Sequence, residues 1–289
     1  MVNNVIPLDD TVVRFKADTH QYFDQSGAEF QSVSRVIKQF IPRFDSQSIS
    51  GYMAKTRAAE KGISVDQAQK EILGEWDAKR DSAADHGNWI HDNLEKSLLT
   101  GECDDPIRPA AKFVHSLVAD SYRFFPEKIL YSTAFRVAGM TDLMVQRQKS
   151  KNTVVDFFDY KTNEAKGIVF DSIGRKNRDI KHYNQYMLHP ISHLESCNYI
   201  HYCLQLSIYA YLAATSWGVN VGRLGIIFIG GEDLMPHMIP VPYMMLEAKL
   251  LLEHNLSKKP LPEVRYQITE PVNVVENVKS EVNNDDDDW

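Results

Sequence analysis

Residues 139–162, GMTDLMVQRQKSKNTVVDFFDYKT, read as two β-strands joined by a polar turn, and that reading decides the fold. The second strand, 153–162, is rich in Val, Phe and Tyr, and side chains along a strand alternate between its faces, so Asp159 and Lys161 emerge together. Asp142 sits on the preceding strand, 137–147, across a turn at 148–152 dominated by Lys and Ser. Asp156, three residues before Asp159, faces the other way. Two carboxylates placed like this can share a hard cation such as Mg²⁺ or Mn²⁺, which prefers oxygen ligands. The bland alternative is a solvated strand face carrying a surface ion pair.

Three other segments bear on that choice. In DHGNWIHDNLE (85–95), Gly87 and His91 lie four apart on a helical stretch, and a neutral imidazole could join the carboxylates as a third ligand. A helical His satisfied by a neighbour is the competing reading. Glu95 lies one turn beyond His91, and Glu127 precedes the first strand of the meander; both could approach the metal, and both are read first as supporting groups around it. In YCLQLSIYAYL (202–212), Gln205 and Tyr209 share one helix face, with apolar neighbours able to bury the rest.

Taken in order, Gly87-x-x-x-His91, Gly139-x-x-Asp142, Asp159-x-Lys161 and Gln205-x-x-x-Tyr209 resemble the PD-(D/E)XK nuclease superfamily, in its RecB-like exonuclease branch of phage type. His20–Ile37, Trp76–Ala84 and Met187–Leu206 look like further segments of that branch, so the resemblance spans about residues 12–255. It implies an α/β fold with a restriction-endonuclease-like core, a central mixed sheet flanked by helices, and an N-terminal helical elaboration. It implies one or two Mg²⁺ or Mn²⁺ ions held by His91, Asp142, Asp159 and the Tyr160 backbone carbonyl. Lys161 would orient the attacking water or stabilise the transition state, and Gln205 and Tyr209 would support the site or touch the scissile strand. The activity implied is exonucleolytic hydrolysis at DNA ends, in phage or prophage recombination, repair or replication. Rival readings are a structure-specific endonuclease on the same site, a catalytically silent DNA-binding or replisome-tethering protein, and a metalloenzyme for small phosphoesters.

Some relatives in the branch carry a four-cysteine iron–sulfur cluster. With three cysteines, Cys103, Cys197 and Cys203, and no C-x-x-C spacing, this chain is expected to hold neither that cluster nor a disulfide framework. The net charge of −7 looks wrong for a DNA-binding protein, but four of the negative charges sit in NNDDDDW (283–289), leaving about −3 elsewhere. Basic residues gather downstream of the hairpin, where Arg175, Lys176, Arg178 and Lys181 would contact phosphates or simply solvate an exposed loop. Arg57, Lys61, Lys79 and Arg80 are weaker candidates for the same role. The acidic tail ending in Trp289 is expected to be disordered; it could solubilise the chain, dock on a replication or recombination partner, or fold back as a DNA mimic.

The chain is expected to form a single nuclease domain over 1–282, with a hairpin and helical part at about 11–125 and a catalytic core at about 126–257, followed by the tail at 283–289. No run of 18 apolar residues occurs, and the first ten residues lack a secretory pattern, which predicts a cytoplasmic protein of a bacterial or phage-infected cell. Strands are expected near 11–17, 20–31, 128–137, 139–147, 153–161, 223–230 and 237–241. Helices are expected near 32–40, 46–60, 65–99 with breaks, 107–124, 199–217 and 243–255.

Overall fold

In the computed structural model, the described residues are Ile6, 12–149, 152–162, 185–230 and 233–257. The chain divides into units 1–259 and 260–289, and every described residue belongs to the first. That unit is a mixed α/β fold: an eight-stranded sheet with helices on both faces.

The sheet opens with β1 (Val13–Lys16), β2 (Gln21–Asp24) and β3 (Glu29–Ser32), an antiparallel meander of short strands. Gly27, at φ 84, turns the second hairpin, and Asp24 braces it by accepting from the Ser26 and Ala28 backbone N–H groups. Ser32 then caps α1 (Val33–Lys38) by accepting from Arg35 N. Helix α2 (Ser46–Lys61) and the first half of α3 (Val65–Thr100) pack as a two-helix arm around Ala54, Ala58, Ala68 and Ile72.

Helix α3 is expected to break but does not, and its 36 residues run about 54 Å. Gly74 and Gly87 lower helix propensity by about 1 kcal/mol each, which tertiary packing overrides. After a short 3₁₀ turn, α4 (Arg108–Val118) ends earlier than its sequence suggests. The cause is the next strand, β4 (Arg123–Ser132), which starts pairing with Gln146 at Arg123.

Strand β5 (Val137–Lys149) organises the sheet. Along one edge it pairs with β4 from Val137 to Gln146. Its other edge is shared: β3 takes Val137 and Ala138 in parallel, and β6 (Asn152–Lys161) takes Leu143–Lys149 antiparallel. Residues 139–142 fall between these two partners, and the site forms in that opening. Beyond β6, helix α5 (Asn198–Trp217) crosses over to β7 (Asn220–Gly230), which is parallel to β6; β8 (Met235–Val241) and α6 (Met245–Ser257) close the unit.

The faces follow from strand alternation. Leu143, Val145, Phe158, Tyr160, Ile227 and Ile229 pack on Ile90 and Leu94 of α3 and on α4. The opposite face lies under α5, whose Leu204, Ile208 and Leu212 are fully buried. Among the described residues no helix is long and apolar enough to cross a membrane.

Candidate active site at the parting of two strands

Where β5 and β6 part, their ladder stops at Leu143 and Phe158. Tyr160 N–H therefore has no β5 carbonyl opposite it, and Asp142 Oδ2 accepts it at 2.5 Å. Thr141 Oγ1 donates to Phe158 O at 3.3 Å, closing the last rung with a side chain. A strand residue points its N–H and C=O to the same edge, so the Tyr160 carbonyl also faces the opening.

Two more elements reach Asp142. Helix α3 brings His91, whose Nδ1 lies 3.5 Å from Asp142 Oδ1. Gly87, one turn earlier, faces the end of β6: a Cβ there would stand 3.3 Å from Thr162 Oγ1, a tight contact. Strand β4 brings Glu127, at φ 48, between the rungs Pro126–Leu143 and Lys128–Thr141. A left-handed glutamate inside a strand is strained, a feature that gathers at functional sites. Ligand atoms of His91, Glu127 and Asp142 all lie within 4.8 Å of one another. One imidazole and two carboxylates this close together could hold a divalent cation.

The second half of the site sits on the α5 face. Lys161 Nζ forms an ion pair with Asp159 Oδ2, and Gln205 Nε2 donates to Asp159 Oδ1 at 3.4 Å and to Tyr209 OH at 3.0 Å. The Tyr202 ring lies 4.7 Å from Lys161 Nζ, a cation–π contact. Tyr209 fits beneath only because residue 139 is glycine: a Cβ there would come within 2.6 Å of its ring.

The charges are tightly balanced. Burial pushes Glu127 up to about 8, reinforced by Asp142. Burial likewise lifts Asp159 to about 6, with Lys161 opposing it. For His91, burial favours the neutral ring, but Asp142 outweighs that and holds the group up at about 9. Asp142 is disfavoured as an anion by burial, yet His91 and Lys161 keep it below the ordinary carboxylate range. Lys161 is held charged against burial by Asp159 and Asp142.

The arrangement brings Asp142, Asp159, Lys161, His91, Gln205 and Tyr209 together. Two expectations change. Glu127, read as a supporting group ahead of its strand, lies inside β4 and among the three closest potential ligands. Asp159 stands outside that trio, because Lys161 and Gln205 hold its oxygens. Glu95, only partly buried, is also outside it, its carboxyl raised by burial and by Asp92.

Several candidates for phosphate contact are engaged elsewhere. Arg57 pairs with Glu75, Lys61 with Glu71, and Arg80 with Asp77 and Asp81. Arg175, Lys176, Arg178, Lys181 and the tail at 283–289 lie outside the described residues. Tyr202 was missed from sequence, although it lies three residues before Gln205, within one turn of the same helix.

No protein-family model and no curated protein matches the chain. Among solved structures, the crystal structure of SSO0001 aligns over 58% of this chain and 70% of its own, at 13% identity and a TM-score of 0.24.

Proposed function

We propose that the protein is a divalent-cation-dependent nuclease built on a PD-(D/E)XK core, hydrolysing DNA phosphodiesters at DNA ends. The observation that carries this reading is the meeting of Asp142, Glu127 and His91 with the Asp159–Lys161 pair where β5 and β6 part. Three acids face two bases in a largely buried pocket, a balance that favours a bound cation.

Asp142, Glu127 and His91 would hold the ion, with the Tyr160 carbonyl facing the same opening. When bound, it supplies an activated water and offsets charge building on the phosphoryl oxygens. Glu127 gives up its proton to bind, and His91 gives up the proton it shares with Asp142. Lys161 keeps its ammonium beside Asp159, placed to orient the water or to meet the developing phosphorane charge. Gln205, tied to both Tyr209 OH and Asp159, fixes the carboxylate that in turn positions Lys161. Tyr209 acts only through Gln205.

The test is digestion of end-labelled linear single- and double-stranded DNA with Mg²⁺ or Mn²⁺, beside a covalently closed circle. Label should leave the linear substrates while the circle stays intact, and Lys161→Ala should lower the rate by about 100- to 1,000-fold while sparing DNA binding. A nicked or linearised circle would make the protein an endonuclease on the same site. Absence of cation-dependent cleavage of every substrate would leave a DNA-binding protein.

A further inference from the structure

Helix α5 sends three side chains to the site, and the mechanism above uses two of them. Tyr202, Gln205 and Tyr209 stand at i, i+3 and i+7, one stripe along the helix. Gln205 donates to Asp159 Oδ1 and to Tyr209 OH. Tyr202 lies against a different group, with its ring centroid 4.7 Å from Lys161 Nζ.

Lys161 needs more than its ion pair to be aimed. It is the last residue of β6, and its ammonium is a compact point charge on a flexible four-carbon stem. The pair with Asp159 Oδ2 fixes one side of that charge, and a point charge held by a single partner can still swing about it. Among the described residues no second carboxylate pairs with Lys161. The side chain is only 15% exposed, so most of the water that would surround the head is gone as well. The Tyr202 ring fills that second side.

We propose that Tyr202 is a positioning residue for the reaction. Its ring face and the Asp159 carboxylate clamp the Lys161 ammonium from two sides, and of the three N–H groups one is left for the attacking water or a phosphoryl oxygen. The assignment rests on the nuclease reading and adds the group that sets the direction of its ammonium. Two physical points favour a ring here over another carboxylate. An aromatic face attracts a cation through its quadrupole and adds no net charge, whereas a further acid would join Asp142, Asp159 and Glu127 and compete with phosphate for the ammonium. A tyrosine also turns on only two side-chain angles, so once seated on a packed helix it makes a stiff platform.

Manganese-dependent hydrolysis of bis(p-nitrophenyl) phosphate by the full-length protein tests this. Tyr202→Leu keeps an apolar side chain on α5 without the aromatic face; it should lower kcat by about 2- to 30-fold and leave KM within about twofold of the parent. Tyr202→Phe, which keeps the face, should recover most of the loss. Proton resonances supply a readout that needs no turnover. In the metal-free parent the ε-methylene protons of Lys161, assigned by their loss in Lys161→Ala, should lie upfield of those of the other lysines, because an aromatic ring shields protons above its face. In Tyr202→Leu they should return to the position of the others.

Parental kcat in Tyr202→Leu would overturn the assignment. So would equal losses in the Leu and Phe variants, which would make the contribution one of packing, or Lys161 protons that resonate with the other lysines in the parent. If the upfield shift is present and Tyr202→Leu abolishes it, but the parent hydrolyses no phosphodiester with any cation, the clamp on the ammonium stands and the nuclease reading falls. If hydrolysis proceeds and Tyr202→Leu turns over like the parent, the nuclease reading stands and the role of Tyr202 falls.

Discussion

Asp156 and Asp159 lie three residues apart on β6, are equally buried at 2% exposure, and face opposite sides of the sheet. Asp156 is saturated. Its Oδ1 accepts Arg223 N–H at 2.8 Å, and its Oδ2 accepts Arg147 Nε at 3.0 Å and Arg223 Nε and Nη2 at 2.9 and 2.7 Å. A Cβ at Gly222 would collide with Oδ1 at 2.3 Å, so the backbone itself is shaped to this carboxylate. Asp159 has one ammonium and one amide, and it shares its surroundings with two further acids, Asp142 and Glu127. Two guanidiniums around one carboxylate build structure; three carboxylates around one ammonium and one imidazole leave room for a cation.

The largest effect expected from this contrast is on metal binding. Glu127→Gln with Asp142→Asn should weaken Mn²⁺ binding by more than about 100-fold in calorimetry, since both are potential direct ligands and even outer partners are worth about 10- to 100-fold. Parental affinity in that protein would place the cation elsewhere.

At the saturated end the expected loss is in stability. Arg147→Met with Arg223→Met leaves Asp156 buried and alone, which should cost about 3–5 kcal/mol in denaturant unfolding while sparing Mn²⁺ affinity. A matching fall in Mn²⁺ affinity would erase the distinction between the two ends.

The smallest effect is a pH trend in the metal-free protein. His91 rises from 6.5 to about 9 and Glu127 from 4.5 to about 8 on folding, so the folded state binds both protons more tightly than the unfolded one. Their stabilisation is complete below the unfolded values and is lost as pH rises through the folded ones. The melting temperature should therefore fall as pH rises, most steeply between about 6.5 and 8, where both windows overlap. His91→Gln should flatten the stretch from about 8 to 9, and a protein whose melting temperature rose over this range would contradict the charge balance described here.

Much of this site was legible because its signals are local. Period-2 alternation put Asp159 and Lys161 on one face and Asp156 on the other, and i, i+4 spacing brought Gln205 to Tyr209. Glu127 was not legible. In FFPEKILY, Pro126 reads as punctuation before a strand, and nothing local shows that a strand whose one partner among the described residues is β5 tolerates both a proline and a left-handed glutamate. The arm's basic residues misled for the same reason: Arg57 and Lys61 look available until the packing of α2 on α3 brings Glu75 and Glu71 against them.

By itself the sequence determined which residues share a face of each strand or helix, because backbone periodicity depends only on neighbours. Tertiary structure alone decided that β3 and β6 divide one edge of β5, leaving the opening at residues 139–142. It likewise decided that Glu127 closes the trio with His91 and Asp142, and that one buried aspartate meets two guanidiniums while the other shares one ammonium with two further acids. Those outcomes depend on contacts between residues from 9 to more than 100 positions apart, and on which charges are carried together out of water, neither of which any local pattern records.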